Sequence, residues 1–166
     1  MHNKSNHFYD SVERREVLSV IVVNRDSVLS RIVDLFSARG YNIDSLTVAP
    51  VPNTEYSRIT IVTVGVARTI DQIVKQLNKL IPVLKVTEHR NVIEKDTVLI
   101  KIPLDQSLSD VDVLARAYNG AIQNVTDEAI VISATDEPKR IANFIKVIEK
   151  YKPLEIVRSG VVAMER

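Results

Sequence analysis

The chain has 166 residues, 45% hydrophobic and 26% charged, with 22 Lys and Arg against 21 Asp and Glu. A net charge of +1 gives no general electrostatic footprint for nucleic acid or an anionic membrane, and the length suits one ordinary domain or two small ones. The absence of cysteine removes disulfides and thiolate chemistry together, and no run of about 18 apolar residues is present to span a bilayer.

Residues 1–14 are polar, with neither the apolar core of a signal peptide nor the Arg-rich make-up of a transit peptide, so they read as a disordered tail of a cytoplasmic protein. An apolar, β-branched run at 17–24 predicts the first strand. It stops at Asn24 and gives way to Asn24-Arg25-Asp26-Ser27-Val28-Leu29, the most suggestive segment of the chain. Asp26 and Ser27 are both good N-cap residues, and helix amides left uncapped favour a carboxylate or phosphate. Two readings fit the turn: a cap and nothing more, or a cradle for a small anionic ligand.

A helix is predicted over 27–39, with Leu29, Ile32, Val33 and Phe36 on one stripe and Gly40 as a left-handed C-cap. Strands follow at 42–50 and 57–65, joined by the turn Pro52-Asn53-Thr54-Glu55. Thr69 and Gln72 have the spacing of a capping box, Ile70, Ile73, Val74, Leu77 and Leu80 form a second helical stripe, and 83–89 closes the unit as a strand. The order then repeats: strand 97–103, helix 110–118, strands 121–126 and 129–134 about the turn Asp127-Glu128, a helix opened by Pro138, and a strand at 154–162.

Each half therefore reads as βαββαβ, giving an α+β chain of two ferredoxin-like domains with antiparallel sheets and helices on one face. The polar stretch at 90–96 places the boundary, so the domains are expected at 15–90 and 91–166. The strands at 17–23 and 58–64 are apolar or Thr at nearly every position, which suits burial on both faces. Two helices cover only one face. Either another copy of the chain or the second half covers the other.

Catalytic equipment is sparse. His2, His7 and His89 lie in no metal-ligating pattern and read as solvated surface residues; no serine sits in G-x-S-x-G, and with four glycines there is no phosphate-cradling loop. The acidic residues read as solvated helix faces. An RNA-recognition module stacks bases on aromatics of its central strands, and residues 57–63 contain none.

The residues themselves, in the run at 18–24, then Leu29-Ser30-Arg31, Leu35-Phe36-Ser37, Arg39-Gly40-Tyr41-Asn42-Ile43, the run at 45–50, and Ser57-Arg58, closely resemble the regulatory small subunit of acetolactate synthase (acetohydroxyacid synthase). The run at 75–80 and Arg158-Ser159-Gly160-Val161 add looser matches. The resemblance implies an N-terminal ACT domain, an ACT-like C-terminal domain and a homodimer whose paired ACT domains hold a branched-chain amino acid, usually valine. It implies a partner, the large catalytic subunit, which the chain activates and renders sensitive to feedback inhibition; thiamine diphosphate, Mg and FAD are expected only on that subunit, with no cofactor, no nucleic acid and no membrane for this chain. By position, Asn24, Ser27, Val28 and Leu29 from one protomer and Asn42 and Ile43 from the other form the effector site. Taken alone, Asn42 reads as a turn residue after Gly40, tolerant of left-handed geometry. Ser27 stands where the family pattern has glycine, so its Cβ either crowds the effector carboxylate or its hydroxyl adds a donor. From the residues alone, a stand-alone amino-acid-binding ACT module that controls another enzyme fits as well.

Overall fold

The computed structural model describes residues 12–166; the expected tail up to residue 11, with His2 and His7, lies outside them. The chain forms two compact units, one comprising residues up to Val92 together with Ala163–Arg166, the other Ile93–Val162.

The first unit runs β1 (Arg14–Val23), α1 (Val28–Ala38), β2 (Ser45–Pro50), β3 (Tyr56–Gly65), α2 (Ala67–Leu77) and β4 (Val83–His89). Its four-stranded antiparallel sheet has the order β2-β3-β1-β4. In β1, alternate side chains Leu18, Val20 and Val22 join Ile59 and Ile61 of β3 in a core with Val28, Ile32 and Phe36 of α1 and Ile70, Ile73 and Leu77 of α2. The opposite face is not left wet: Val17, Ser19, Thr60 and Val62 are also buried, as the unbroken apolar pattern of these strands requires.

Helix ends follow local rules where the sequence allows. Gly40 adopts φ +67°; its amide donates to the Ser37 carbonyl and the Tyr41 amide to the Phe36 carbonyl, a Schellman stop closed by the edge-to-face Phe36–Tyr41 pair at 6.2 Å. At the start of α2 the expected capping box does not form, because the helix begins at Ala67 with Val66 at the N-cap and Thr69 already inside. The α1 stripe also departs in part from the expected one. Ile32 and Phe36 are buried as expected and Val28 joins them, while Leu29 and Val33 are 40% and 38% exposed, because the row 28, 32, 36 with Leu35 beside it is the one that faces the sheet.

The second unit repeats the plan with β5 (Val92–Pro103), α3 (Leu108–Ala117), β6 (Gly120–Val125), β7 (Ala129–Asp136), α4 (Pro138–Ile148) and β8 (Glu155–Arg158). The sheet order is β6-β7-β5-β8, with β9 (Val162–Glu165) also paired to β5. The single strand expected at 154–162 is thus two. Ser159 breaks it, its amide donating to the Thr97 carbonyl and its hydroxyl accepting from the Thr97 amide.

Two acids in this unit are not the solvated residues the sequence suggests. Asp96 and Asp136 are buried directly opposite each other on β5 and β7. Arg158 holds Asp96 at 2.6 Å. Asp136 accepts from Arg140 (2.5 Å), Lys95 (3.1 Å), Asn119 (3.0 Å) and the Glu137 amide (2.8 Å). Burial opposes the ionisation of Asp136, but the hydrogen bonds from Arg140, the Glu137 amide and Lys95 outweigh it and hold the carboxyl well below the usual carboxylate range.

Candidate functional site

The junction between β1 and α1 is built by two constraints. The Asn24 amide donates to the Glu55 carbonyl at 2.9 Å and the Val23 amide to the Pro82 carbonyl at 3.1 Å, tying the end of β1 to the β2–β3 hairpin and to the entry of β4. Beside it the β1–β4 register slips between Ile21 and Val22, and such an irregularity bends a strand and re-aims its end.

Ser27 then turns the chain into the helix with φ +69° and ψ −1°, and no side chain caps α1. This corrects the expected side-chain cap. Ser27 contributes its carbonyl, which accepts from the Arg31 amide at 3.1 Å and the Ser30 hydroxyl at 2.8 Å. The first-turn amides have no intrahelical acceptor, and no acidic side chain sits in that turn. An uncapped, positively polarised helix start is the result.

A cavity of about 260 Å³ opens at this point, lined by Val23, Arg25, Asp26, Ser27, Val28, Arg31, Ile81 and Pro82. It falls just short of the roughly 300–1,000 Å³ of ordinary small-molecule pockets, so it suits a small ligand. Its walls divide by chemistry: Arg25, Arg31 and the helix start favour an anion against the one carboxylate of Asp26, and Val23, Val28, Ile81 and Pro82 are apolar. Sequence reasoning anticipated Ser27 and Val28 but not Arg25, Arg31, Ile81 or Pro82. Ile81 and Pro82 lie more than fifty positions further along the chain, and only the β1–β4 pairing brings them here; Ile81 is 93% exposed.

The other expected site residues lie elsewhere in the chain. Asn24 and Leu29 flank the cavity without lining it. The Asn42 carbonyl accepts from Thr63 at 2.6 Å and its amide group donates to Asp44, while Ile43 packs against the unit's own core. Asn42 does not adopt the left-handed conformation, which Gly40 takes instead. Thr63 pairs with Glu16 and the cavity follows Val23, so the two groups sit at opposite ends of β1, separated by roughly 23 Å at about 3.3 Å per residue. The chain places Ser27 and Val28 at the cavity and does not bring Asn42 and Ile43 to them.

His89, expected to be solvated, is instead only 9% exposed. Its Nε2 lies 2.7 Å from the Ser19 hydroxyl and its Nδ1 2.7 Å from the Glu165 carboxylate. Among the described residues no group of three or more His, Asp or Glu is placed to hold a metal ion, and no helix is long and apolar enough to cross a membrane.

Tandem βαββαβ units, each built on a four-strand antiparallel order, define an ACT-type protein. The family model for the acetohydroxyacid synthase small subunit-like ACT domain matches residues 18–85, and that for the small subunit of acetolactate synthase matches residues 95–166. The chain is 40% identical to the acetolactate synthase small subunit of Haemophilus influenzae over 92% of this chain and 96% of the relative. It is 38% identical to the isozyme 3 small subunit of Escherichia coli, again over 92% and 96%. The crystal structure of the acetolactate synthase small subunit from Thermotoga maritima superposes with a TM-score of 0.86 at 34% identity, over 92% of this chain and 98% of that one. The chain belongs to the acetolactate synthase small subunit family.

Proposed function

We propose that this chain is the regulatory subunit of acetolactate synthase: it activates the thiamine-diphosphate-dependent catalytic subunit in the cytoplasm and transmits feedback inhibition by valine, catalysing nothing itself. On this reading thiamine diphosphate, Mg and FAD reside on the large subunit. The effector's carboxylate lies on the uncapped amides of Ser27 to Leu29, its ammonium group meets the side-chain oxygen of Asn24 or of a second copy's Asn42, and its branched side chain meets apolar groups including that copy's Ile43.

The observation that carries this reading is the split of the site. The cavity at the start of α1 is lined by Ser27 and Val28, whereas Asn42 and Ile43 stand at the far end of β1. Both sets serve one ligand only when a second protomer supplies the latter pair, and a homodimer through the ACT domains does so. A ligand bridging two protomers fixes their relative angle. Valine then alters catalytic output in proportion to its preference for the inhibited over the activating arrangement.

The test is reconstitution. Purified large subunit mixed with this chain is expected to co-elute with it and to gain acetolactate output, which valine then lowers. A large subunit that neither binds the chain nor gains activity overturns the reading and leaves a stand-alone amino-acid-binding module.

A further inference from the structure

The first unit is completed by the last residues of the chain. Ala163–Arg166 belong to it, and Glu165 is its point of attachment. One carboxylate oxygen of Glu165 lies 2.7 Å from His89 Nδ1 and the other accepts from the Asn91 amide at 3.4 Å, while the Arg166 amide donates to the Asn91 carbonyl at 2.9 Å.

An ionised carboxylate only accepts, so this contact fixes the proton of His89 on Nδ1. The second ring nitrogen then meets the Ser19 hydroxyl at 2.7 Å. A hydroxyl both donates and accepts, so that bond survives whether or not the ring carries a second proton. The hydrogen bond from His89 is also the main reason the Glu165 carboxyl sits below its ordinary value.

Ser19 is buried in the middle of β1, and β1 ends at Val23 in the wall of the cavity. We propose that Glu165, His89 and Ser19 form a clasp through which the C-terminal segment regulates the cradle: it pins β1 to β4 where His89 faces Val17, roughly 20 Å along the strand from Val23 and the cavity, and so sets how firmly the strand pair that carries the cradle is held. The clasp deepens the effector reading above and rests on it for its regulatory meaning. Nothing in it is catalytic: the serine is buried and serves as an anchor.

Hydrogen exchange on the full-length chain tests the clasp without any ligand. Glu165→Ala is expected to speed amide exchange across β4 and the 17–20 stretch of β1 by about tenfold, the factor set by losing one charge-assisted hydrogen bond. Exchange in α3 and α4 stays unchanged. Glu165→Gln, whose carbonyl still accepts from Nδ1, keeps most of the protection. Unaltered exchange in Glu165→Ala overturns the clasp. Should that variant fail to fold, nitrogen-15 NMR of the unsubstituted chain decides, because a His89 ring lacking the Nδ1 proton is incompatible with the contact. Calorimetry with valine reads the regulatory link: affinity is expected to fall several-fold in Glu165→Ala and to recover in Glu165→Gln. Equal affinities overturn the link, whereas a chain that never binds valine overturns the effector reading and leaves the exchange result to judge the clasp.

Discussion

Replacing Ser27 with glycine is expected to stabilise the first unit. Ser27 has φ +69°, a conformation that costs a residue bearing a Cβ about 1–2 kcal/mol. Its hydroxyl makes no capping bond, and its carbonyl bonds to Arg31 and Ser30 belong to the backbone, so glycine retains them. Against the relief stands the greater freedom of glycine in the unfolded chain, about 0.4–1 kcal/mol. The remainder favours glycine by about 0.5–1 kcal/mol, a rise in melting temperature of roughly 2–8 °C for a unit of this size. Urea unfolding of the unsubstituted chain, Ser27→Gly and Ser27→Ala measures it. Alanine keeps the left-handed penalty and is expected to match serine within about 0.5 kcal/mol. A glycine variant no more stable than the alanine one refutes the strain argument.

The same Ser27→Gly variant is expected to bind valine more tightly in calorimetry, because removing the Cβ opens the approach to the first-turn amides; unchanged or poorer affinity shows that the side chain does not crowd the ligand. Gly120→Ala is expected to destabilise the second unit by about 1–3 kcal/mol, since a Cβ there comes within 2.5 Å of the Ser133 carbonyl oxygen; a melting temperature within about 1 °C of the parent contradicts this. Asp136 gives the chain an acid limb. Its folded-state carboxyl is held below the ordinary value, so its contribution is fully present above about pH 4 and is lost as pH falls toward the depressed folded value. In Asp136→Asn, urea unfolding between pH 5 and pH 3 should show a shallower fall in stability and, at pH 7, a loss of about 1–2 kcal/mol as the hydrogen bonds from the half-exposed Arg140 and Lys95 lose their charged acceptor; an acid limb as steep as the parent's removes Asp136 as its source.

Much of the fold was legible because local chemistry and tertiary packing agree. The β-branched runs of β1 and β3 are buried on both faces, Gly40 has the one backbone conformation that stops α1 with a Schellman pair, and the turns at 52–55 and 127–128 join strands that pair as hairpins. The lining of the cavity was half legible. A polar turn followed by a helix singles out Ser27 and Val28 from adjacent residues, but Ile81 and Pro82 join the cavity only because β4 runs beside β1, a contact across nearly sixty positions.

Sequence alone determined the duplicated βαββαβ order, since hydrophobic period and turn residues are local and act before any long-range contact forms. Tertiary structure alone decided three things: that Ser27 sits in a strained turn and leaves its helix uncapped, that Asn42 and Ile43 stand a strand's length from the cradle, and that His89 and the two aspartates are buried. The physical reason is common to all three. Whether a polar side chain is capped, paired or solvated depends on partners that arrive from distant parts of the chain, and an isolated stretch of sequence carries no record of them.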